Sequence, residues 1–375
     1  MADLKKIVFF ITDCDFGGAE QVLFELCQGL QGKFQIQVLV LKSKGHFARL
    51  IEQLAIPVKS YELGPKPGLA YFFRMAFVFL RAWSDLRKIK PDIVQGILFQ
   101  GNLFAKLASK LSGAKIILCS LHTFDQGRIK FLAENLTSFL AKKYIVVSNA
   151  LETFCIEKLR IPDGKIIVVR NGIQIRQTIS DPKKLREKLG IKSDARIIGT
   201  IARLHWEKGI DLLIRAFHHL ASEFPETILV IIGDGPEKEN LKELAENLGI
   251  RDRVIFTGFQ PEPERFFALF DLFALGSRIE AMPVALMQAM AQGKAIVATK
   301  VGGVPELVED NKEALLVPAE DEFMLTRAIS RLLHDPKLAK RLGENARAKA
   351  EQEFSLKKMI ESYQKIYLEL IEDKN

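Results

Sequence analysis

Residues 277–299 read Ser-Arg-Ile-Glu-Ala-Met-Pro-Val-Ala-Leu-Met-Gln-Ala-Met-Ala-Gln-Gly-Lys-Ala-Ile-Val-Ala-Thr. The apolar run Leu272–Leu275 before them predicts a buried strand. Pro283 then falls in the first turn of a helix, where the N–H it lacks would be unpaired anyway. An Ala/Leu/Met segment continues that helix, Gly293 stops it, and a second apolar strand follows. The loop 277–282 therefore sits at the carboxyl end of a strand and the amino end of a helix. Free N–H groups and a partial positive charge make such a place receptive to phosphate. Glu280 overhangs it, and Gln288 faces the same way about two turns on. One more strand–helix unit of an α/β protein accounts for the apolar residues, but not for a charged Ser-Arg-x-Glu at the ligand-binding end of a sheet.

The same alternation extends in both directions. Strands are predicted at Ile7–Ile11, Gln35–Leu41, Val58, Ile93–Gln95, 115–119 and Tyr144–Val147, with helices between them, including a long one at Leu69–Ile89. Residues 160–195 are punctuated by Pro162, Gly164, Asn171, Gly172 and Pro182 and read as a crossing between domains. Alternation resumes from Ile197 to Ala298, with a helix expected at 262–269, and helices close the chain. Repeated β-α predicts parallel sheets with helices on both faces. At 375 residues two domains are expected: 1–175 with a last helix at about 355–375, and 176–354.

Composition sets limits. Apolar content of 48% and charged content of 27% indicate an ordered globular chain. Cys14, Cys27, Cys119 and Cys155 lack metal or redox spacing and read as reduced core thiols. Ile7–Ile11 has strand length, not the length of a leader, and no stretch reaches the roughly 18 apolar residues of a membrane span. A cytoplasmic protein is expected. The net charge of +8 is uneven: residues 1–175 carry 24 Lys+Arg against 14 Asp+Glu. A basic half suits an anionic partner, whether membrane surface, phosphorylated acceptor or nucleic acid; generic solubility explains it equally well. Arg74, Arg81 and Lys88, seven residues apart on the 69–89 helix, form one basic stripe. It fits an anionic bilayer or the solvent edge of a core helix.

Several short motifs carry chemistry. Gly17-Gly18-Ala19-Glu20 lies between the first strand and first helix, where glycines let backbone approach a ligand. Arg203 and Lys208 flank a strand-to-helix turn; Arg forks two oxygens and Lys supplies a compact charge, so the pair suits a diphosphate. Solvated surface bases are the bland alternative. Gly233-Asp-Gly-Pro236 lacks a third Gly, and Val254-Ile-Phe-Thr offers no acid, which disfavours a dehydrogenase. His122 follows an apolar strand and points into a crevice, unless it is a hydrogen-bonded structural His. His46, His205, His218, His219 and His334 read as surface or helix-face residues without metal spacing. Asp13 and Asp15 resemble a metal pair but read better as strand-end residues.

Taken together, these motifs resemble a GT-B glycosyltransferase of the retaining family four (glycosyl transferases group 1) type. The resemblance adds Val147-Ser148, Asn171-Gly172-Ile173, Thr257-Gly258 and Gly302-Gly303-Val-Pro-Glu306 and spans nearly the whole chain. It implies an α/β fold of two Rossmann-like doubly wound domains facing across a cleft, the last helix crossing back to the first. The second domain would bind a nucleotide-sugar donor and the first an acceptor. Arg203 and Lys208 would hold the diphosphate, Glu280 the sugar, the backbone of Ala281, Met282, Pro283 and Val284 sugar and phosphate, and Gln288 the ribose. His122 would act at the reacting centre, and Gly17-Gly18 would approach phosphate or acceptor. Transfer would be metal-independent, with no cofactor beyond the donor co-substrate.

The implied activity is retaining transfer of a hexose, from a UDP-sugar above all, to a lipid-linked or cell-envelope glycan such as lipopolysaccharide. The expected setting is the cytoplasmic side, peripheral on the membrane, as a monomer or weak dimer without nucleic acid. Three positions depart from the family pattern: Gln288 replaces a glutamate, Ala281 a glycine, and Gln174 an aspartate. An amide offers one acceptor oxygen where a carboxylate offers two. These departures motivate an alternative: a catalytically weakened protein that binds nucleotide sugar or glycan and regulates a partner. A GT-B epimerase fits the Arg203/Lys208 and 277–299 blocks less well.

Overall fold

A computed structural model of the chain describes residues 4–64, 69–124, 127–175 and 180–373. It divides into two compact units, Met1–Gly172 with Leu356–Asn375, and Ile173–Ser355.

The first unit runs β1 (Lys6–Ile11), α1 (Gly18–Leu30), β2 (Gln35–Val40), α2 (His46–Gln53), β3 (Val58–Ser60), α3 (Leu69–Ile89), β4 (Ile93–Ile97) and α4 (Leu98–Ser112). It continues with β5 (Ile116–Leu121), α5 (Arg128–Thr137), β6 (Lys143–Val146), α6 (Asn149–Glu157) and β7 (Ile166–Val168). The strands form one parallel sheet, β3-β2-β1-β4-β5-β6-β7. β1 shows why the strands are apolar throughout. Ile7, Phe9 and Ile11 enter a core with α1 and α2, while Val8 and Phe10 enter another with α3 and α4. Helices on both faces bury nearly every strand position, so a polar residue there, such as Gln95 or Ser120, must find a hydrogen-bond partner inside. Each apolar side chain so placed contributes roughly 1.5–3 kcal/mol by burial.

The second unit runs α7 (Pro182–Leu189), β8 (Arg196–Ile201), α8 (Ile210–Leu220), β9 (Thr227–Ile232), α9 (Lys238–Asn247), β10 (Val254–Phe256), β11 (Leu272–Leu275) and α10 (Val284–Ala291). β12 (Ala295–Thr299), α11 (Val304–Leu307), β13 (Leu315–Val317), α12 (Glu322–His334) and α13 (Pro336–Glu353) complete it. Its parallel sheet is ordered β10-β9-β8-β11-β12-β13. A last helix, α14 (Leu356–Glu372), packs Met359, Tyr363, Ile366, Tyr367 and Leu370 into the core of the first unit. There the Tyr367 hydroxyl donates to Gln95 Oε1 at 2.5 Å, and Gln95 Nε2 to Ser120 Oγ at 2.7 Å. Because α14 needs partners for those buried aromatics, it ends up beside α1, where a Cβ on Gly29 would lie 2.1 Å from Ile360 Cδ1.

Three local expectations are corrected. Segment 160–195 is not only a crossing: it contains β7 and α7, and residues 176–179 lie outside the described residues. The helix expected at 262–269 is a run of 3-10 turns, Pro263–Leu269, whose three-residue repeat buries both Phe266 and Leu269. Pro283 sits one residue ahead of α10, with φ −70° and ψ 114°, an extended geometry its fixed φ allows. The four cysteines are free and buried. Among the described residues no helix is long and apolar enough to cross a membrane.

Candidate active site

In each sheet the strand order reverses once, between β1 and β4 and between β8 and β11. Loops at the carboxyl ends of such a pair diverge and leave a crevice, the usual ligand site of doubly wound sheets. In the second unit those loops are 202–209 and 276–283.

Glycines let the loops meet. A Cβ on Gly209, whose φ is +56°, would lie 2.0 Å from the Gly276 carbonyl oxygen. Only glycine adopts that φ beside a foreign carbonyl without strain. Across this junction Lys208 Nζ donates to Glu280 Oε1 at 2.8 Å. Ser277 Oγ donates to the same oxygen at 2.7 Å. Thr299, at the end of β12, donates from Oγ1 to the Ser277 carbonyl at 2.6 Å, and Gly303 N donates to the Glu280 carbonyl at 3.0 Å. Three loops thus converge on Glu280: two hold its carboxylate, and the segment leaving β12 holds the backbone beneath it. Its other oxygen, Oε2, has no donor among the described residues. Glu280 is 6% exposed and Ser277 fully buried. A buried pair of this kind adds little net stability, yet removing one partner strands the other charge and costs roughly 3–5 kcal/mol.

Arg278, two residues before Glu280, does something else. Its Nη1 and Nη2 fork onto Asp211 Oδ1 and Oδ2 at 2.7 Å each, and Nε donates to Glu320 at 2.5 Å. Nη1 also donates to the Trp206 carbonyl at 2.9 Å, and the guanidinium lies 5.3 Å from the Trp206 ring. The backbone N–H of Arg278 donates to Glu207 O at 2.8 Å. Hydrogen bonds to Asp211, working against burial, hold the guanidinium pKa above its ordinary value. Burial alone would raise Asp211, but the bonds and charge of Arg278 outweigh it and hold it low. Arg278 is therefore a brace between loops, with four of its five N–H donors engaged.

Arg203 contrasts with it: its side chain is exposed and has no partner among the described residues. Its loop is pinned to the next one by Leu204 N to Asp234 O at 2.9 Å and Glu237 N to Leu204 O at 3.1 Å. Ala281, Met282 and Pro283 are buried and Val284 half-buried, so backbone is what this segment presents at the start of α10. Gln288 is half-buried on α10, and its amide has no partner among the described residues.

The structure thus joins Lys208 and Glu280 directly and adds Ser277, Thr299 and Gly303, which the sequence reading did not assign. Ser277 was visible three residues before Glu280. Thr299 and Gly303 fell within motifs noted in the sequence, but without an assigned role, because their contacts run through backbone carbonyls.

In the first unit, His122 lies one residue past β5 and is half-buried. Its Nδ1 is buried without a partner among the described residues, and burial lowers its pKa to about 4, so the ring is neutral at pH 7. Just below it, Ser120 is fixed by Asn102, whose Nδ2 donates to Ser120 O at 3.0 Å and whose Oδ1 accepts from Ser120 N at 3.2 Å. Gly17 is extended, and Gly18 opens α1. A Cβ on Gly17 would lie 2.2 Å from Glu20 Oε2, so the Glu20 carboxylate, not a ligand, already occupies that side of the glycine. Asp13 lies 3.6 Å from Lys42, and Asp15 accepts from His46 N at 3.1 Å, so both act as strand-end loop residues.

Two family models match the chain: "Glycosyl transferases group 1" over residues 181–349 and "Glycosyltransferase Family 4" over residues 16–177. The N-acetyl-alpha-D-glucosaminyl L-malate synthase of Bacillus anthracis is 30% identical over 82% of this chain and 81% of its own length. A UDP-Gal:alpha-D-GlcNAc-diphosphoundecaprenol alpha-1,3-galactosyltransferase of Escherichia coli is 24% identical over 77% of this chain and 78% of its own. The crystal structure of Anabaena HepE in complex with UDP-glucose superposes with a TM-score of 0.87 at 25% identity, covering 96% of this chain and 98% of that one. With both parallel sheets, their switch points and these likenesses in agreement, the chain belongs to the group 1, family 4 glycosyltransferases of GT-B fold.

Proposed function

We propose that this glycosyltransferase moves a hexose from a UDP-sugar, with retention, to a lipid-linked or cell-envelope glycan. The observation that carries the reading is the Glu280 carboxylate: one oxygen is fixed by Lys208 and Ser277 at the β8/β11 switch point, and the other is free to accept from sugar hydroxyls.

In this mechanism the anomeric C–O bond breaks and its electron pair stays with the diphosphate oxygen. The sugar passes through an oxocarbenium-like state. The acceptor oxygen attacks from the face the diphosphate leaves, and its proton passes to a departing phosphate oxygen. Exposed Arg203, the Lys208 ammonium and the N–H groups opening α10 stabilise the departing anion. No metal or cofactor takes part. Backbone from Ala281 to Val284 lies along sugar and phosphate, and Gln288 meets the ribose with one acceptor and one donor. His122, neutral at working pH, serves the transfer step, and Gly17-Gly18 backs the acceptor or phosphate. The first unit takes the acceptor and the second the donor. UDP is supported by the bound ligand of HepE, and a lipid-linked acceptor by the Escherichia coli relative. The enzyme works at an anionic membrane surface of the cytoplasmic side, as a monomer or weak dimer.

Thermal shift with UDP-, GDP- and ADP-sugars tests the donor, because a ligand of the folded state raises stability. A UDP-sugar is expected to give the largest shift. Transfer or donor hydrolysis should vanish in Glu280→Ala and Arg203→Ala. Trace activity unchanged in both variants would instead favour a weakened, regulatory protein, the reading that Gln288 and Ala281 motivate.

A further inference from the structure

One face of the first sheet is covered by α3, α4 and α5. α4 lies on β1, β4 and β5, with α3 on one side and α5 on the other. Val78, Ala82 and Leu86 of α3, and Phe104, Ala105 and Ala108 of α4, point into the core. A helix that ends at water turns polar residues outward. These three do not.

On α3 the outward residues include Phe72, Phe73, Phe77 and Leu80, each more than half exposed. On α4 they include half-buried Leu103 and Leu107 and exposed Leu111. On α5 and the turn after it they are Ile129, Leu132, Leu136 and Phe139, at 60–83% exposure. α5 has a single fully buried residue, Glu134, held by Lys106 and the Tyr144 hydroxyl at 2.5 Å each. A helix with one buried polar residue and a row of exposed apolar ones has its burial completed by something outside the chain.

Charge says what that is. The three helices contain two carboxylates, and both are engaged inward: Glu134 as above, and Asp85 with Lys59 at 2.6 Å and the Tyr61 hydroxyl at 2.7 Å. Arg74, Arg81, Arg87, Lys88, Lys110 and Arg128 are exposed on the same helices. Two copies meeting through this face would set cation against cation with no anion between them, which disfavours self-association.

We infer that the outer face of α3, α4 and α5 docks on an anionic lipid bilayer. The aromatic and aliphatic side chains enter the acyl boundary, and the guanidinium and ammonium groups stay at head-group level. This gives the membrane part of the proposed function a specific surface, and it depends on no step of sugar transfer.

Co-sedimentation of the full chain with vesicles tests it. Binding is expected to phosphatidylglycerol-containing vesicles and to be weaker by about tenfold or more on pure phosphatidylcholine or at high salt. Phe73→Glu with Phe77→Glu, and separately Ile129→Glu with Leu136→Glu, should each lower binding by about tenfold or more. Arg74→Gln with Lys88→Gln leaves the apolar rows intact and should weaken binding to the anionic vesicles alone. A donor-induced thermal shift retained in each variant shows that the fold survives and keeps this test apart from that of the transferase reading. Absence of binding at low salt, equal binding to both lipids, or binding untouched by all three variants overturns the proposal. So does saturable binding of an acidic protein, with none to lipid.

Discussion

The two sheets share a plan but treat their switch points differently. Above β8 and β11 the loops are joined by charge: Lys208 to Glu280, and Arg278 to Asp211 and Glu320. Above β1 and β4 the loop after β1 meets the first turn of α4 through a weaker neutral contact, Gly101 N donating to Thr12 Oγ1 at 3.3 Å. The first unit buries one ion pair, Lys106 with Glu134, and spreads cations without carboxylate partners among the described residues over its outer helices. The lesson is one of scale. A carboxylate and cations fixed at one point suit a small, compact anion such as a sugar diphosphate. Cations dispersed among exposed apolar side chains suit an extended surface. The same doubly wound scaffold supports both, because its carboxyl-end loops and its outer helix faces vary independently.

The largest effect that would break this contrast concerns Glu280. Glu280→Ala is expected to lower donor-dependent turnover by about 10²–10³-fold, as for other preorganised electrostatic groups; steady-state kinetics with the donor found by thermal shift measures it. A loss below tenfold would mean that the second switch point is braced but not catalytic. Next comes Lys208→Ala, which leaves Glu280 buried without its cation. Urea unfolding should show a loss of roughly 3–5 kcal/mol, largely restored when Glu280→Gln is added.

The two tryptophans sharpen the comparison, since Trp83 lies in the first unit and Trp206 in the second. Single-tryptophan variants report each unit separately. Gly209→Ala places a Cβ against the Gly276 carbonyl at positive φ and should cost the Trp206 transition about 1–3 kcal/mol. Gly29→Ala, set against Ile360, should cost the Trp83 transition a similar or smaller amount, because a side chain yields more readily than backbone. The smallest effect is that of pH on His122. Its folded pKa of about 4 lies below the ordinary 6.5, so the unfolded chain binds more protons between those values. Its contribution is present above pH 6.5 and is lost as pH falls towards 4. His122→Gln should flatten that loss by at most about 3 kcal/mol, read from the Trp83 transition between pH 7 and 4.5.

Most strands were legible because a parallel strand covered on both faces is an unbroken apolar run, as in Ile7–Ile11 and Leu272–Leu275. β7 and β13, three-residue edge strands, were not, although the equally short edge strand β3 was read at Val58. α7, Pro-Lys-Lys-Leu-Arg-Glu-Lys-Leu, hid in a punctuated stretch because none of its residues is fully buried. At the site, Glu280 and Lys208 stood out as charges at strand ends. The work of Arg278 did not, since Asp211 and Glu320 lie 67 and 42 residues away in the chain. The outward rows of α3 and α5 were the hardest to read. Phe, Leu and Ile at helical spacing look the same whether they face a core or the outside.

The return of α14 has one more consequence. Ile173 and Ser355, the first and last residues of the second unit, pair as a β-bridge, and Ile173 N donates to the Phe354 carbonyl at 2.9 Å. The second unit is therefore an insertion in the chain of the first, a cassette whose two ends already touch. Residues 173–355, expressed as one piece, are expected to fold on their own, a cooperative thermal transition of that fragment being the check. Trimming the final helix, by contrast, removes Tyr363 and Tyr367 from the core of the first unit and bares the apolar side chains they cover.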